Sequence, residues 1–377
     1  MINSMGKSKT VLAVAGLVAI IAVWFFGSTG ESDFGGEIAQ IFARKPVKKE
    51  CVPAPYQRQF SSEPYYVGPL VDAHVHMPVS SRIVAAVAKR LGNVEFNLSL
   101  FDRTLTTDQF VCLFQGGGIR QLFGFFLTTK FSLGAEVRTM KKFQKDYPGL
   151  VVASFMPVPV ASLRVSPAEI RKTLDANPGL IRGIGELKMF DNGEIDNPHF
   201  SEMYKIADEY DLIVMIHPHY KDKAVMKKIL AQYPKVRFLL HGAEDGSDPN
   251  EGPNERAEFI ADIMKDHPNA YYSLGPANVF GFRREHARMM PEKTEMMTHL
   301  REVFDRDLNK LVGDWKAVIE QYPEGFMWET DRQRPQWAFD EDVGRLLEEY
   351  GRSFIGKLAP AVQEKFAYQN AEKLFLK

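Results

Sequence analysis

The sequence predicts an α/β fold, a (β/α)8 TIM barrel preceded by an N-terminal membrane-anchor or signal helix. Three observations carry this expectation. Eight short, continuously apolar runs have the character of parallel strands buried on both faces. Amphipathic stretches lie between most of them, as the crossovers of a parallel sheet require. An uncharged N-terminal run stands apart from everything that follows it.

That first run comes after Lys7 and Lys9 and extends from Val11 to Gly27, 17 residues rich in Val, Ala, Ile and Leu. It has the pattern of a secretory signal or a short membrane anchor. Trp24, Phe25 and Phe26 at its end suit a membrane–water interface and favour the anchor, while Ser28 and Gly30 leave a cleavage site open. With the two lysines held in the cytoplasm, the remainder is expected to be exported, either membrane-anchored or secreted and periplasmic. Residues 28–65, rich in Gly, Ser, Lys and Pro, read as a linker and an N-terminal arm. The barrel is expected over 66–377.

The strand-like runs are Leu70–Ala73, Gln121–Leu127, Leu150–Met156, Leu180–Gly185, Leu212–Ile216, Val236–Leu240, Ala270–Leu274 and Gly325–Trp328. Helical patterns fall at Arg82–Arg90, Ala135–Tyr147, Pro167–Asp175, Phe200–Tyr210, Lys221–Tyr233 and Asn254–Asp266. Eight strands alternating with helices is the count of a (β/α)8 barrel. Between the last two strands lies a charged helical insertion at about 278–322, expected to roof the active site, with Met289, Met290, Met296 and Met297 packed within it. A formal net charge of −1 gives no footprint for nucleic acid. The two cysteines, Cys51 and Cys112, exclude a disulfide scaffold and a Cys-rich zinc module, leaving one bridge or two thiols.

The chemistry sits where polar residues close the apolar runs, at the end of a barrel where active sites are built. His74 and His76 follow the first run, and residues two apart in a strand face the same way, so both imidazoles can share one divalent metal. Alone the pair is a weak signal. The fourth run ends in Glu186, the fifth in His217, the sixth in His241, and the eighth is followed by Asp331. Any one of these is commonly a helix cap or a satisfied core residue; all of them together, at five separate strand ends, point to a metal site.

With these residues the sequence resembles the amidohydrolase superfamily, in particular its branch of amidohydrolase-related hydrolases and decarboxylases. The segment Gln369-Asn370-Ala371-Glu372-Lys373-Leu374-Phe375 is similar to the terminal helix of that branch, with Gln369 in place of its glycine. The resemblance covers about Val67 to Lys377. It implies a metal site of His74, His76, Glu186, His217, His241 and Asp331, one or two divalent ions, and a small-molecule substrate. Zn is the first expectation, with Mn, Fe or Co also suited to nitrogen and oxygen ligands. Many members carry a carboxylated lysine after strand four; Glu186 stands there instead, with Lys188 two residues on.

The implied reaction is attack of metal-activated water on an amide, ester or lactone bond. Asp331 moves the proton, and His241 either binds a second metal or polarises the carbonyl. Glu186 either bridges two metals or orients a histidine. Lys188, His219 and Arg332 are weaker candidates for substrate contact, Arg332 against a substrate carboxylate or in a surface ion pair. Glu329 either supports the ligands or points between strand and helix, and Glu244 and Asp245 are expected to cap a helix. His199, His267, His286 and His299 lie off the strand ends and are read as structural or surface residues. Two alternatives remain: a metal-dependent decarboxylase of the same superfamily, and a non-catalytic binding protein tethered to the membrane.

Overall fold

The computed structural model describes residues 58–60, 63–80, 105–158, 161–188, 195–218, 223–242, 253–275, 292–332 and 339–375. Eight parallel strands run in sequence order: β1 (Leu70–His76), β2 (Ile119–Thr128), β3 (Val151–Pro157), β4 (Ile181–Lys188), β5 (Ile213–His217), β6 (Arg237–Leu240), β7 (Ala270–Leu274) and β8 (Phe326–Trp328). The seam between first and last is drawn together just past β8. There Val75 forms a parallel bridge with Arg332, and the Asp331 amide donates to the His74 carbonyl at 3.0 Å. The result is a nearly closed barrel of the (β/α)8 type.

Strand alternation explains how the barrel fills. Val71, Ala73, Phe123, Phe125, Leu127, Met156, Met215, Leu239 and Met327 form one buried apolar cluster although they come from six strands. Side chains of so many strands meet only inside the barrel. The alternate positions, such as Leu70, Leu122, Phe126, Val214 and Phe238, join the larger cluster between sheet and helices. Connecting helices cover the outside: α1 (Thr107–Gly116), α2 (Leu133–Asp146), α3 (Pro167–Ala176), α4 (Pro198–Tyr210), α5 (Lys223–Gln232), α6 (Pro253–Asp266), α7 (Lys293–Gln321) and α8 (Glu341–Lys357).

The chain ends in α9 (Pro360–Glu364), a single π-helical turn at Lys365–Gln369 and α10 (Asn370–Phe375). Asn370 anchors this end by donating to the carbonyls of Pro323 and Phe326, at 2.8 and 2.7 Å. Phe375 packs on Phe123 inside the barrel, and Arg237, the first residue of β6, donates to the Leu374 carbonyl at 2.7 Å. These contacts put α10 under the N-terminal ends of the strands. The lower mouth is thus filled, which leaves the C-terminal ends for the site.

Two expectations change. Helix α1 is absent from the sequence reading, because Phe110, Cys112 and Phe114 are poor helix formers in isolation; a capping box of Thr106 and Gln109 starts it, and buried Phe110 and Phe114 hold it down. The insertion, expected as a roof, is in its described part the 29-residue α7, which lies along the outside of the barrel against α6 and α8. Trp315 stacks on Tyr272 of β7 with ring centroids 5.1 Å apart, and Met296 and Met297 are buried in its packing. The rest of 278–322 up to 291, the helical pattern Arg82–Arg90 and the N-terminal helix and arm through residue 57 lie outside the described residues. Among the described residues no helix is long and apolar enough to cross a membrane. Cys112 on α1 is disulfide-bonded.

Candidate metal centre

The C-terminal strand ends bring six of the sequence-predicted residues into one buried cluster. On β1 the register with β2 slips between Asp72 and Val75, where the strand turns His74 and His76 toward the barrel axis. Asp72 holds that irregularity in place. Its carboxylate accepts from the amide of His74 at 3.2 Å, and across the seam from the amide and hydroxyl of Thr330 at 2.9 and 2.5 Å. Burial pushes the Asp72 carboxyl up to about 7, against the pull of the Thr330 bonds.

Glu186 reaches the axis from β4 and His217 from the last position of β5; His241 follows β6 directly. Two glycines let the backbone pack closely enough. A Cβ on Gly185 (φ 141°) would lie 2.4 Å from the Met215 carbonyl oxygen of the next strand. A Cβ on Gly242 (φ 80°) would lie 2.3 Å from Cε1 of His217, so that ring rests on bare backbone. Asp331, with φ at 46°, leaves the strand direction just past β8 and turns back over the site.

Glu186 occupies the middle. Its Oε1 lies 2.9 Å from His241 Nε2 and 3.1 Å from His217 Nδ1, and its Oε2 lies 3.5 Å from His76 Nε2 and 4.0 Å from His74 Nε2. Asp331 Oδ1 is 3.2 Å from His76 Nε2 and 3.6 Å from His74 Nδ1. Ligand-capable atoms gather into three groups, each within 4.8 Å: His74, His76 and Asp331; Glu186, His217 and His241; and His74, His241 and Glu329.

The electrostatics follow from packing four imidazoles and three carboxylates with almost no water. Burial lowers the His74 imidazole well below its ordinary range, with His241 adding to the effect. Burial also opposes charge on His241, but Glu186 and Glu329 outweigh it and raise that ring well above the usual range. Burial pushes the Asp331 carboxyl up, and His74 and His76 reverse this to leave it below the usual carboxylate value. Buried carboxylates of this number demand positive charge nearby. A divalent cation would supply it, and the donors suit one: neither ring nitrogen of fully buried His74 has a hydrogen-bond partner, and the donor set is all nitrogen and oxygen.

The weaker candidates separate. Lys188 closes β4 in register with His217. His219, Glu244 and Asp245 lie outside the described residues. Arg332 corrects the reading that put it against a substrate carboxylate or on the surface. It is buried, its Nη2 donates to Glu348 Oε1 of α8 at 2.8 Å, and its guanidinium covers the Phe114 ring of α1 at 4.6 Å. It faces the helical layer, one residue beyond Asp331, whose positive φ turns the backbone out of the strand direction. The same period of two was the signal for the two residues that sequence reasoning underused. Asp72 precedes His74 by two, and Glu329 precedes Asp331 by two. Glu329 is fully buried inside the barrel, 3.6 Å from both His74 and His241 through their Nδ1 atoms, and neither of its oxygens has a hydrogen-bond partner.

Comparison with known proteins agrees with this geometry. The family model described as amidohydrolase matches residues 71–376. The chain belongs to the amidohydrolase family. Among solved structures it is similar to an amidohydrolase from Burkholderia multivorans, seen in one crystal form with bound HEPES and in another with bound zinc. The TM-scores are 0.52 and 0.51 at 10% and 11% identity, covering 82% of this chain and 99% of that one in both cases. It is also similar to the manganese-containing 5-carboxyvanillate decarboxylase from Novosphingobium aromaticivorans, with TM-score 0.47 and 11% identity over 82% of this chain and 96% of that one. No curated protein matches the chain. Likeness at this level of identity shows the fold of this amidohydrolase alone, and its own cluster must argue for the reaction.

Proposed function

We propose that this amidohydrolase hydrolyses an amide, ester or lactone bond of a small molecule at a centre holding two divalent cations, zinc by first expectation. The observation that carries this reading is the place of Glu186, one oxygen turned to His217 and His241 and the other to His74 and His76. A carboxylate so placed would bridge a cation held by His74, His76 and Asp331 to one held by His217 and His241. When bound, such cations supply Lewis acidity, acidifying water and polarising a carbonyl.

The protein's own groups do the rest. Asp331, kept ionised by His74 and His76, accepts a proton from the attacking water at Oδ1 and passes it to the leaving nitrogen or oxygen. His76 Nε2 stands 3.2 Å from that oxygen, close enough for the two to share one cation. The apolar floor of Phe125, Met215 and Leu239 keeps bulk water from the underside of the cluster. The decarboxylase reading gave the substrate carboxylate to Arg332. Its engagement with Glu348 removes that support, and hydrolysis is the reading we put first. The disulfide at Cys112 supports the further reading that the barrel works in an oxidising compartment outside the cytoplasm.

Metal analysis of the purified protein, followed by a panel of small esters, lactones and amides, tests the proposal. The expected outcome is about two divalent ions per chain. His74→Ala then loses metal and activity together, and Asp331→Asn lowers kcat by about 100-fold or more. A metal-free active protein, or carbon dioxide as the product, sinks it.

A further inference from the structure

The cluster contains one carboxylate that neither proposed cation uses. Glu329 lies below the ring of ligands, at 0% exposure, on the floor side of His74 and His241. Its two oxygens are divided between two imidazoles: Oε2 stands 3.6 Å from His74 Nδ1, and Oε1 stands 3.6 Å from His241 Nδ1. The opposite nitrogen of each ring, Nε2, faces Glu186, at 4.0 Å from Oε2 for His74 and 2.9 Å from Oε1 for His241. The two rings stand edge to face, centroids 4.4 Å apart at 87°, so one carboxylate beneath reaches both.

A neutral imidazole carries one N–H, and whichever nitrogen keeps it is lost as a metal ligand. A carboxylate facing Nδ1 accepts a proton there and leaves the Nε2 lone pair for the cation. At His74 the Asp331 oxygen, also 3.6 Å from Nδ1, favours the same tautomer. At His241 Glu329 is the carboxylate on that side. Leaving a carboxylate in the buried floor of a barrel costs stability unless N–H donors meet it, and neither Glu329 oxygen has another hydrogen-bond partner.

We propose that Glu329 is a positioning residue, a single carboxylate that sets His74 and His241 as Nδ1–H tautomers with Nε2 turned to the metal side. His74 belongs to the group with His76 and Asp331, and His241 to the group with Glu186 and His217. Glu329 therefore links the two halves of the centre, and its loss weakens cation binding at both. The inference rests on reading the cluster as a metal centre.

The test is a zinc titration of metal-free wild type and Glu329→Gln against a chromogenic competing chelator, with thermal melting of both metal-free proteins. Glu329→Gln is expected to bind zinc about 10- to 100-fold more weakly at both equivalents. The melting temperatures separate a loss of folding from a loss of zinc affinity: a merely structural role would lower the melting temperature while leaving the zinc affinity of the folded protein within about threefold of wild type. Glu329→Asp, which keeps the charge, should recover part of the affinity. Should Glu329→Gln fail to fold, zinc-loaded wild type labelled with ¹⁵N-histidine answers the question directly: His241 is expected to show its proton on Nδ1. Zinc binding in Glu329→Gln within about threefold of wild type, or a zinc-ligating Nδ1 on His241, overturns the proposal. Failure of the wild type to take up zinc would instead count against the metal centre itself.

Discussion

Glu136 shows how single buried charges shape this protein away from its centre. It sits on α2, almost fully buried, accepting from the amide and hydroxyl of Ser80 at 3.1 and 2.9 Å. Burial pushes its carboxyl from 4.5 up to about 7, with the Ser80 bonds pulling the other way. The folded value is therefore above the unfolded one. The stabilisation tied to the protonated form is complete below about pH 4.5 and is lost as pH rises through about 7. Glu136→Gln has no such slope. Between about pH 4.5 and pH 8 its stability should gain on wild type by about 3 kcal/mol, read from urea unfolding at each pH. A gap that does not change with pH would show that the ionised carboxylate is well accommodated. At this scale the sequence was most informative where the strand period could be read, which is how His74 and Asp331 were singled out. It was least informative for Arg332, whose direction depends on which side of the β1–β8 seam the backbone turns after Asp331.

Elements position the residues, and the turn after β6 is the most demanding of them. Gly242 holds a left-handed conformation with the His217 ring resting against it. Gly242→Ala introduces a Cβ that both strains the backbone and collides with that ring. The expected result is a loss of about 1–3 kcal/mol in unfolding free energy, with zinc lost first from the group of Glu186, His217 and His241. Unchanged stability and unchanged zinc content would show that the loop has another way to turn. Pattern reading located the strands because a buried parallel strand has a signature independent of its neighbours. It passed over α1, whose aromatic face declares a helix only once β2 and α2 are there to cover it, Phe110 meeting Phe143 of α2. It misplaced α7 for the same reason. A long amphipathic helix does not record in its own sequence whether it roofs a mouth or, as here, lies between α6 and α8.

On the scale of the whole molecule, the barrel is closed below by its own C-terminus, and the ligand cluster lies at the C-terminal ends of the strands. Phe375 against Phe123, and Asn370 on two carbonyls beside β8, seat that terminal plug. The disulfide at Cys112 is what supports the proposed oxidising compartment. Thiol titration of the denatured, unreduced protein is expected to detect no free thiol, and two reactive thiols would remove this argument for export. The chain has two cysteines in all, so the measurement has few outcomes to separate.

The sequence by itself determined the strands, their order, and the set of His74, His76, Glu186, His217, His241 and Asp331 at their ends. Those properties are local: a period of two and a polar residue closing an apolar run need no knowledge of what lies across the barrel. Only the tertiary structure decided what these residues mean to one another. It placed Glu186 between two pairs of histidines, tied Asp72 to Thr330 across the seam, drew Arg332 out to Glu348, and set Glu329 beneath two rings. Each of those contacts joins elements far apart in the chain, and closing the barrel is what brings them within bonding distance.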